Sequence, residues 1–213
     1  MLQKLLLATN NRGKVREYRR LLAGVPLKLV TPAAEGITTV VDETGESLEE
    51  NARLKATILA VESKLLSLAD DSGLEVDALG GEPGHLSARY AGEVASDRDR
   101  VEFLLSRLKD VPWEKRTARF RCVIALAAPR GEVELCSGAC RGFITFEPRG
   151  KYGFGYDPIF YLSELDKTLA ELPLPIKNQI SHRGQAARKA ADILEDRFFS
   201  SVTLDRLPKT YES

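Results

Sequence analysis

In the stretch Leu68-Ala69-Asp70-Asp71-Ser72-Gly73 an apolar run reaches two adjacent carboxylates and then breaks at Ser-Gly. That is the pattern of a buried strand delivering acidic side chains to its exposed end. Neighbouring carboxylates repel, so folding them into one place calls for a divalent cation, a lysine or a shared proton. The plainer alternative is a solvated Asx-turn closing the strand. A second acidic segment, Asp42-Glu43-Thr44-Gly45-Glu46-Ser47, precedes a helical pattern over about 48–65. Ser47 and Glu50 have capping-box spacing, which accounts for Glu50 but not for Glu43. Glu43 is therefore a candidate to share a site with Asp71; Lys55, about two turns into the helix, could supply a cation to the same cleft, but a solvated helix face is the expectation.

Anion chemistry is suggested by Thr9-Asn10-Asn11-Arg12-Gly13-Lys14, which follows the apolar run Leu5-Leu6-Leu7-Ala8 and leads into a helix with Val15, Tyr18, Leu21 and Leu22 on one face. Strand, polar loop and helix in that order present backbone N–H groups and a positive dipole end to an anion, and Lys14 adds a mobile charge. The spacing is not that of a P-loop, and capping and turn geometry also account for Asn and Gly here. A third block, Gly153-Phe154-Gly155-Tyr156-Asp157-Pro158-Ile159-Phe160, suits a planar ligand, with a ring to stack a base and a carboxylate to accept from its edge. A tight turn with core aromatics competes with that reading. Lys177, His182 and Arg183 lie close to Ser181, the expected N-cap of a final helix running to about residue 199. Cations at a helix start oppose the dipole, so they point to a role other than helix stability, although ordinary surface charges remain the alternative. Arg89 is a phosphate ligand or a surface ion pair; His85 lacks partners at ligand spacing and is taken as structural.

The elements that must position these groups belong to one folding unit, residues 1–199, followed by a polar tail at 200–213. The 213 residues are 43% hydrophobic and 29% charged, enough for a sizeable core and against disorder. Lys plus Arg equals Asp plus Glu at 31 each, so no global field marks a nucleic-acid or membrane partner, and any attraction for anions must be local. No apolar run has transmembrane length and no cleavage pattern follows the N-terminus, so a cytoplasmic location is expected. Cys122, Cys136 and Cys140 are expected as reduced core thiols rather than a zinc site. Short strands are expected at 27–31, 36–41 and 74–79, a helix at 97–108 capped by Ser96, and a hairpin from 117–128 to 132–140 around Pro129-Arg130-Gly131, with 142–146 extending the same sheet.

Six blocks together resemble the inosine triphosphate pyrophosphatase family, also called dITP/XTP pyrophosphatases. They are Ala8-Thr9-Asn10-Asn11-Arg12-Gly13-Lys14, Glu43-Thr44-Gly45 with Glu50-Asn51-Ala52, Ala69-Asp70-Asp71-Ser72-Gly73-Leu74, Ser87-Ala88-Arg89-Tyr90, Phe154-Gly155-Tyr156-Asp157-Pro158-Ile159-Phe160 and Ile180-Ser181-His182-Arg183. The resemblance implies an α/β fold with an elongated central mixed sheet, flanking helices, two lobes around a substrate cleft, and a homodimer. It implies Mg²⁺-dependent hydrolysis of ITP, dITP or XTP to the monophosphate and pyrophosphate. On this basis Thr9, Asn10, Asn11, Arg12, Gly13 and Lys14 would hold the triphosphate, Glu43 and Asp71 the metal, and Ser72 the nucleotide. Asp71 would also accept the proton of the attacking water. Phe154, Gly155, Tyr156, Asp157, Lys177, His182 and Arg183 would form the base pocket. Two departures stand out: His85-Leu86 replaces the expected apolar-Tyr pair, and Asp42 beside Glu43 leaves the second metal ligand open by one position. A pyrophosphatase for other nucleotides and a non-hydrolysing nucleotide sensor are the competing functions.

Overall fold

A computed structural model describes residues 2–199; the polar tail at 200–213 lies outside them. The order is β1 (Gln3–Leu7), α1 (Arg12–Leu21), β2 (Leu27–Val30), α2 (Leu48–Ser63), β3 (Leu66–Val76), β4 (Pro83–Gly84), α3 (Asp97–Arg107), β5 (Thr117–Ala127), β6 (Val133–Ile144), β7 (Phe160–Leu162), β8 (Lys167–Thr168), α4 (Leu174–Ile180) and α5 (His182–Ile193). The eight strands form one mixed sheet, ordered β2-β1-β3-β5-β6-β7-β8, with β4 also paired to β3. β1 is parallel to β2 and β3, and the other pairings are antiparallel. This is the expected α/β architecture.

β1 is apolar on successive residues because both of its faces are covered, as parallel strands require. Leu5 and Leu7 join Leu66, Leu68, Tyr18, Ala186 and Ala190 under α1 and α5. Leu6 points the other way, with Ala69, Ala52, Ala56 and Leu59 under α2. A third apolar cluster, around Leu74, Leu104, Phe120, Ile144 and Phe160, builds the far end of the sheet beneath α3. Close contact between β6 and α5 needs Gly138: a Cβ there would stand 2.3 Å from the carbonyl oxygen of His182.

The structure departs from the sequence expectations at several points. β3 does not end at Ser72-Gly73 but continues to Val76, so residues 74–79 are the end of β3 and a short 3-10 turn (Asp77–Leu79) rather than a separate strand. Gly73 is there because the backbone of β4 comes so close that a Cβ would sit 2.3 Å from the Gly84 carbonyl oxygen. No strand forms at 36–41; a 3-10 turn, Pro32–Glu35, ends at Gly36 with φ +72°. α5 stops at Ile193 and gives way to a π-helical turn, Leu194–Phe199.

One topological detail creates the cleft. β5 pairs along nearly the whole of one edge of β3. On the other edge β1 pairs only as far as Leu68, while β4 begins at Leu74. Between them the β1-side edge of β3 has no neighbouring strand, and Asp70, Asp71 and Ser72 lie in that gap.

Candidate active site

A cavity of about 330 Å³ opens at this gap. Successive strand residues face opposite ways, so the two aspartates do not share a side as the sequence reading supposed. Asp70, on the α1 and α5 face, is buried; Lys14 Nζ lies 3.0 Å from its Oδ1 and Arg183 Nε donates to Oδ2 at 3.1 Å. Asp71 faces α2, where Lys55 Nζ lies 3.4 Å from Oδ1. Lys55 also donates to Glu43 Oε1 at 2.7 Å, so it is drawn into the site, not solvated on a helix face as expected. Both ammonium groups converge on the Asp70 carbonyl oxygen, Lys14 at 3.2 Å and Lys55 at 3.1 Å.

These surroundings separate the two carboxyls. Burial would raise the pKa of Asp70, but Lys14, Arg183 and Lys55 outweigh it and hold the group well below the usual range. Burial prevails at Asp71: Lys55 and Lys14 only partly offset it, Glu43 and Asp70 reinforce it, and the pKa is raised. Adjacent carboxyls pushed in opposite directions acquire different chemical uses. Asp71 Oδ2 is buried with no hydrogen-bond partner among the described residues. Of the two neighbouring acids, Glu43 lines the cavity while Asp42 is exposed. The Glu43 loop is held by Arg89, whose Nη2 donates to the Glu43 carbonyl at 3.0 Å.

The polar loop forms the wall beside Lys14. Asn11 caps α1, its Oδ1 accepting from Lys14 N at 3.1 Å. The N–H groups of Arg12 and Gly13 therefore open the helix without intrahelical acceptors. Gly13 packs against the Phe154 ring, where a Cβ would approach to 2.6 Å. Thr9, Asn10, Asn11 and Lys14 line the cavity, as do Ser72, Phe154, Gly155, Tyr156, Asp157, His182 and Arg183. Arg12, Gly13 and Lys177 do not.

Beside the loop, the aromatic block is fixed by polar contacts that the sequence did not reveal. Gly155 N donates to Asp97 Oδ2 at 2.7 Å and Tyr156 hydroxyl donates to the Ser87 carbonyl at 3.0 Å. Asp157 is buried and engaged, accepting from Phe154 N and from Lys177, so it does not stand free toward a ligand edge. Lys177 and Arg183 meet at the buried carboxylate of Glu17, 2.9 Å from Lys177 Nζ and 2.7 Å from Arg183 Nη1. Both cations lie over the Phe154 ring, 4.9 and 5.4 Å from its centroid. His182 stacks on Phe120 at 4.6 Å. Burial first, then the charges of Arg183 and Lys177, push its pKa well below the ordinary value, so the ring is neutral, and its Nδ1 has no partner among the described residues.

Glu17, Lys55 and Phe120 are the site groups missed from sequence. Glu17 carried a signal: it precedes the buried Tyr18 on α1, where a charge needs a partner. Lys55 carried only its place about two turns into the helix behind Glu43, which a solvated face explains equally well, and Phe120 carried none, since the packing of α2 and the register of β5 bring them in.

The chain matches the family model described as the Ham1 family over residues 5–193. A dITP/XTP pyrophosphatase of Bacillus subtilis (strain 168) is 46% identical over 195 residues, covering 92% of this chain and 98% of that relative. One of Geobacter sulfurreducens is 50% identical over 191 residues, covering 90% and 96%. Among solved structures, the Ham1 protein of Staphylococcus aureus superposes with a TM-score of 0.81 at 41% identity, covering 91% of this chain and 98% of the other. A HAM1 protein from Coxiella burnetii gives 0.83 at 40% identity, with 92% and 100% covered.

Glu17→Gln leaves Lys177 and Arg183 short of a buried negative charge. It is expected to destabilise the fold by about 3–5 kcal/mol, measured by denaturant unfolding. A change within experimental error would show that the two cations do not depend on Glu17.

Proposed function

This chain belongs to the Ham1 family, and we propose that it hydrolyses deaminated purine nucleoside triphosphates, ITP, dITP and XTP, to the monophosphate and pyrophosphate. Relatives named dITP/XTP pyrophosphatase support the substrate class. The observation that carries the reading is Asp71: a buried carboxylate with one oxygen unpartnered, beside Lys55 at 3.4 Å, in a cleft that Lys14 also lines.

The donor set fits Mg²⁺. Among the described residues no group of three acidic, His or Cys side chains is placed to hold a metal, but Mg²⁺ characteristically takes one or two carboxylates and fills its shell with water and substrate phosphate. Glu43 and Asp71, joined through Lys55, would supply those carboxylates. Bound there, the ion would acidify a water and offset phosphate charge. Asp71 accepts the proton of the attacking water, through a carboxylate whose Oδ2 is buried and unpartnered among the described residues. Lys14 and Lys55, which line the cleft, counter the charge that builds on the phosphoryl oxygens. No covalent intermediate is required.

At the other end, Phe154 offers a face to the base. Arg183 uses three of its N–H bonds on Asp70, Glu17 and Ser72, and a guanidinium carries five, so two remain for a 6-oxo group. Adenine would turn an amino donor toward the same cation and is disfavoured. A homodimer in the cytoplasm completes this reading; light scattering that finds a single chain would remove the dimer from it.

Pyrophosphate release is expected from ITP and XTP, with Mg²⁺ required and ATP, dTTP and UTP turned over far more slowly. Equal rates on all five would defeat the keto-purine assignment. Asp71→Asn is expected to lower kcat by about 10²–10⁴-fold with nucleotide binding largely kept, and full activity in that variant would show that Asp71 is not the base.

A further inference from the structure

The main cavity does not account for the outer wall of α1. Arg12, Arg16, Arg19 and Arg20 line a groove of about 570 Å³ together with Thr9 and Asn10, and the last two residues also line the main cavity. All four arginines are exposed, and their spacing places them along one side of the helix. No carboxylate lines the groove. Among the described residues none of the four guanidinium groups has an ion-pair partner. The nearest acids are turned elsewhere: Glu17 points inward to Lys177 and Arg183, and Glu35, on the turn beside the groove, holds Lys4 at 2.8 Å.

This arrangement does not serve the helix. Arg12 with Arg16 and Arg16 with Arg20 are like charges four residues apart, and Arg12 sits in the first turn, where the dipole disfavours a cation. In a chain with 31 basic and 31 acidic residues, four unpaired arginines on one wall make a local positive field next to the phosphate cradle. Guanidinium groups are suited to phosphate oxygens, which they can grip in pairs.

We propose that this groove is an accessory polyphosphate site, continuous with the cradle through Thr9 and Asn10, which draws in the tail of the incoming triphosphate and receives the pyrophosphate released from it. The inference rests on the triphosphate reading of the main cavity. It is tested with the triple variant R16Q/R19Q/R20Q, its charge-preserving counterpart R16K/R19K/R20K, and the wild-type chain. Calorimetric titration with inorganic pyrophosphate and the salt dependence of kcat/KM for ITP are the two readouts. The glutamine variant is expected to bind pyrophosphate about tenfold more weakly and to show a flatter salt dependence, while the lysine variant stays close to wild type. Unchanged pyrophosphate affinity and salt dependence in the glutamine variant would overturn the proposal, as would a loss confined to binding of a single-stranded oligonucleotide. A wild-type chain that does not hydrolyse ITP would instead remove the reading of the main cavity on which the groove depends.

Discussion

Charges buried in this protein cannot stand alone, and the cleft is organised by the need to balance them. Asp70, Glu17 and Asp157 are almost fully enclosed, and so are Lys177 and Arg183, with Lys14 nearly so. Each is tolerable only in the presence of the others, because an unpaired ion in a low-dielectric interior costs several kcal/mol. Such networks seldom add much net stability over an apolar core of the same volume. What this one does is hold α1, β3, α4 and α5 in a single relative arrangement, since the carboxylates come from α1, β3 and the aromatic block and the cations from α1, α4 and α5.

The gap on the edge of β3 gives the network somewhere to act. If β1 continued beyond Leu7, or β4 ran on past Gly84, the Asp70 carbonyl would be taken up by a ladder hydrogen bond. It instead receives two ammonium groups, one from α1 and one from α2. Strand alternation then divides the labour. Asp70 turns toward α5 and anchors cations, while Asp71 turns toward α2 and keeps an oxygen available. Gly13 ties α1 to the aromatic block, because its missing side chain lets the start of the helix rest on Phe154.

Most strands and helices were legible in the sequence wherever periodicity was strong. Ser96 caps α3 with a full capping box, and β5 and β6 pair in register across Pro129-Arg130-Gly131. The failures have local causes. Ser72-Gly73 has the composition of a strand end, but glycine inside a strand can equally admit a close backbone neighbour, and Gly84 is that neighbour. Residues 36–41 are β-rich in composition yet have no partner strand. Lys55 resembles any helix-surface lysine until Glu43 and Asp71 arrive beside it.

The residues themselves determined which chemistry was available: a strand-loop-helix with unsatisfied N–H groups, acidic side chains in two segments, and a glycine-aromatic block, in a fixed order along the chain. Those are local properties, set by side-chain type and spacing. Tertiary structure alone decided which groups meet. Arg183 and Glu17 are separated by 166 positions and Arg183 and Asp70 by 113, so their pairing depends on sheet order and on how closely α5 approaches β6. The opposite orientations of Asp70 and Asp71 likewise followed only once β3 was seen to run through both, because a strand alternates its side chains and a turn need not.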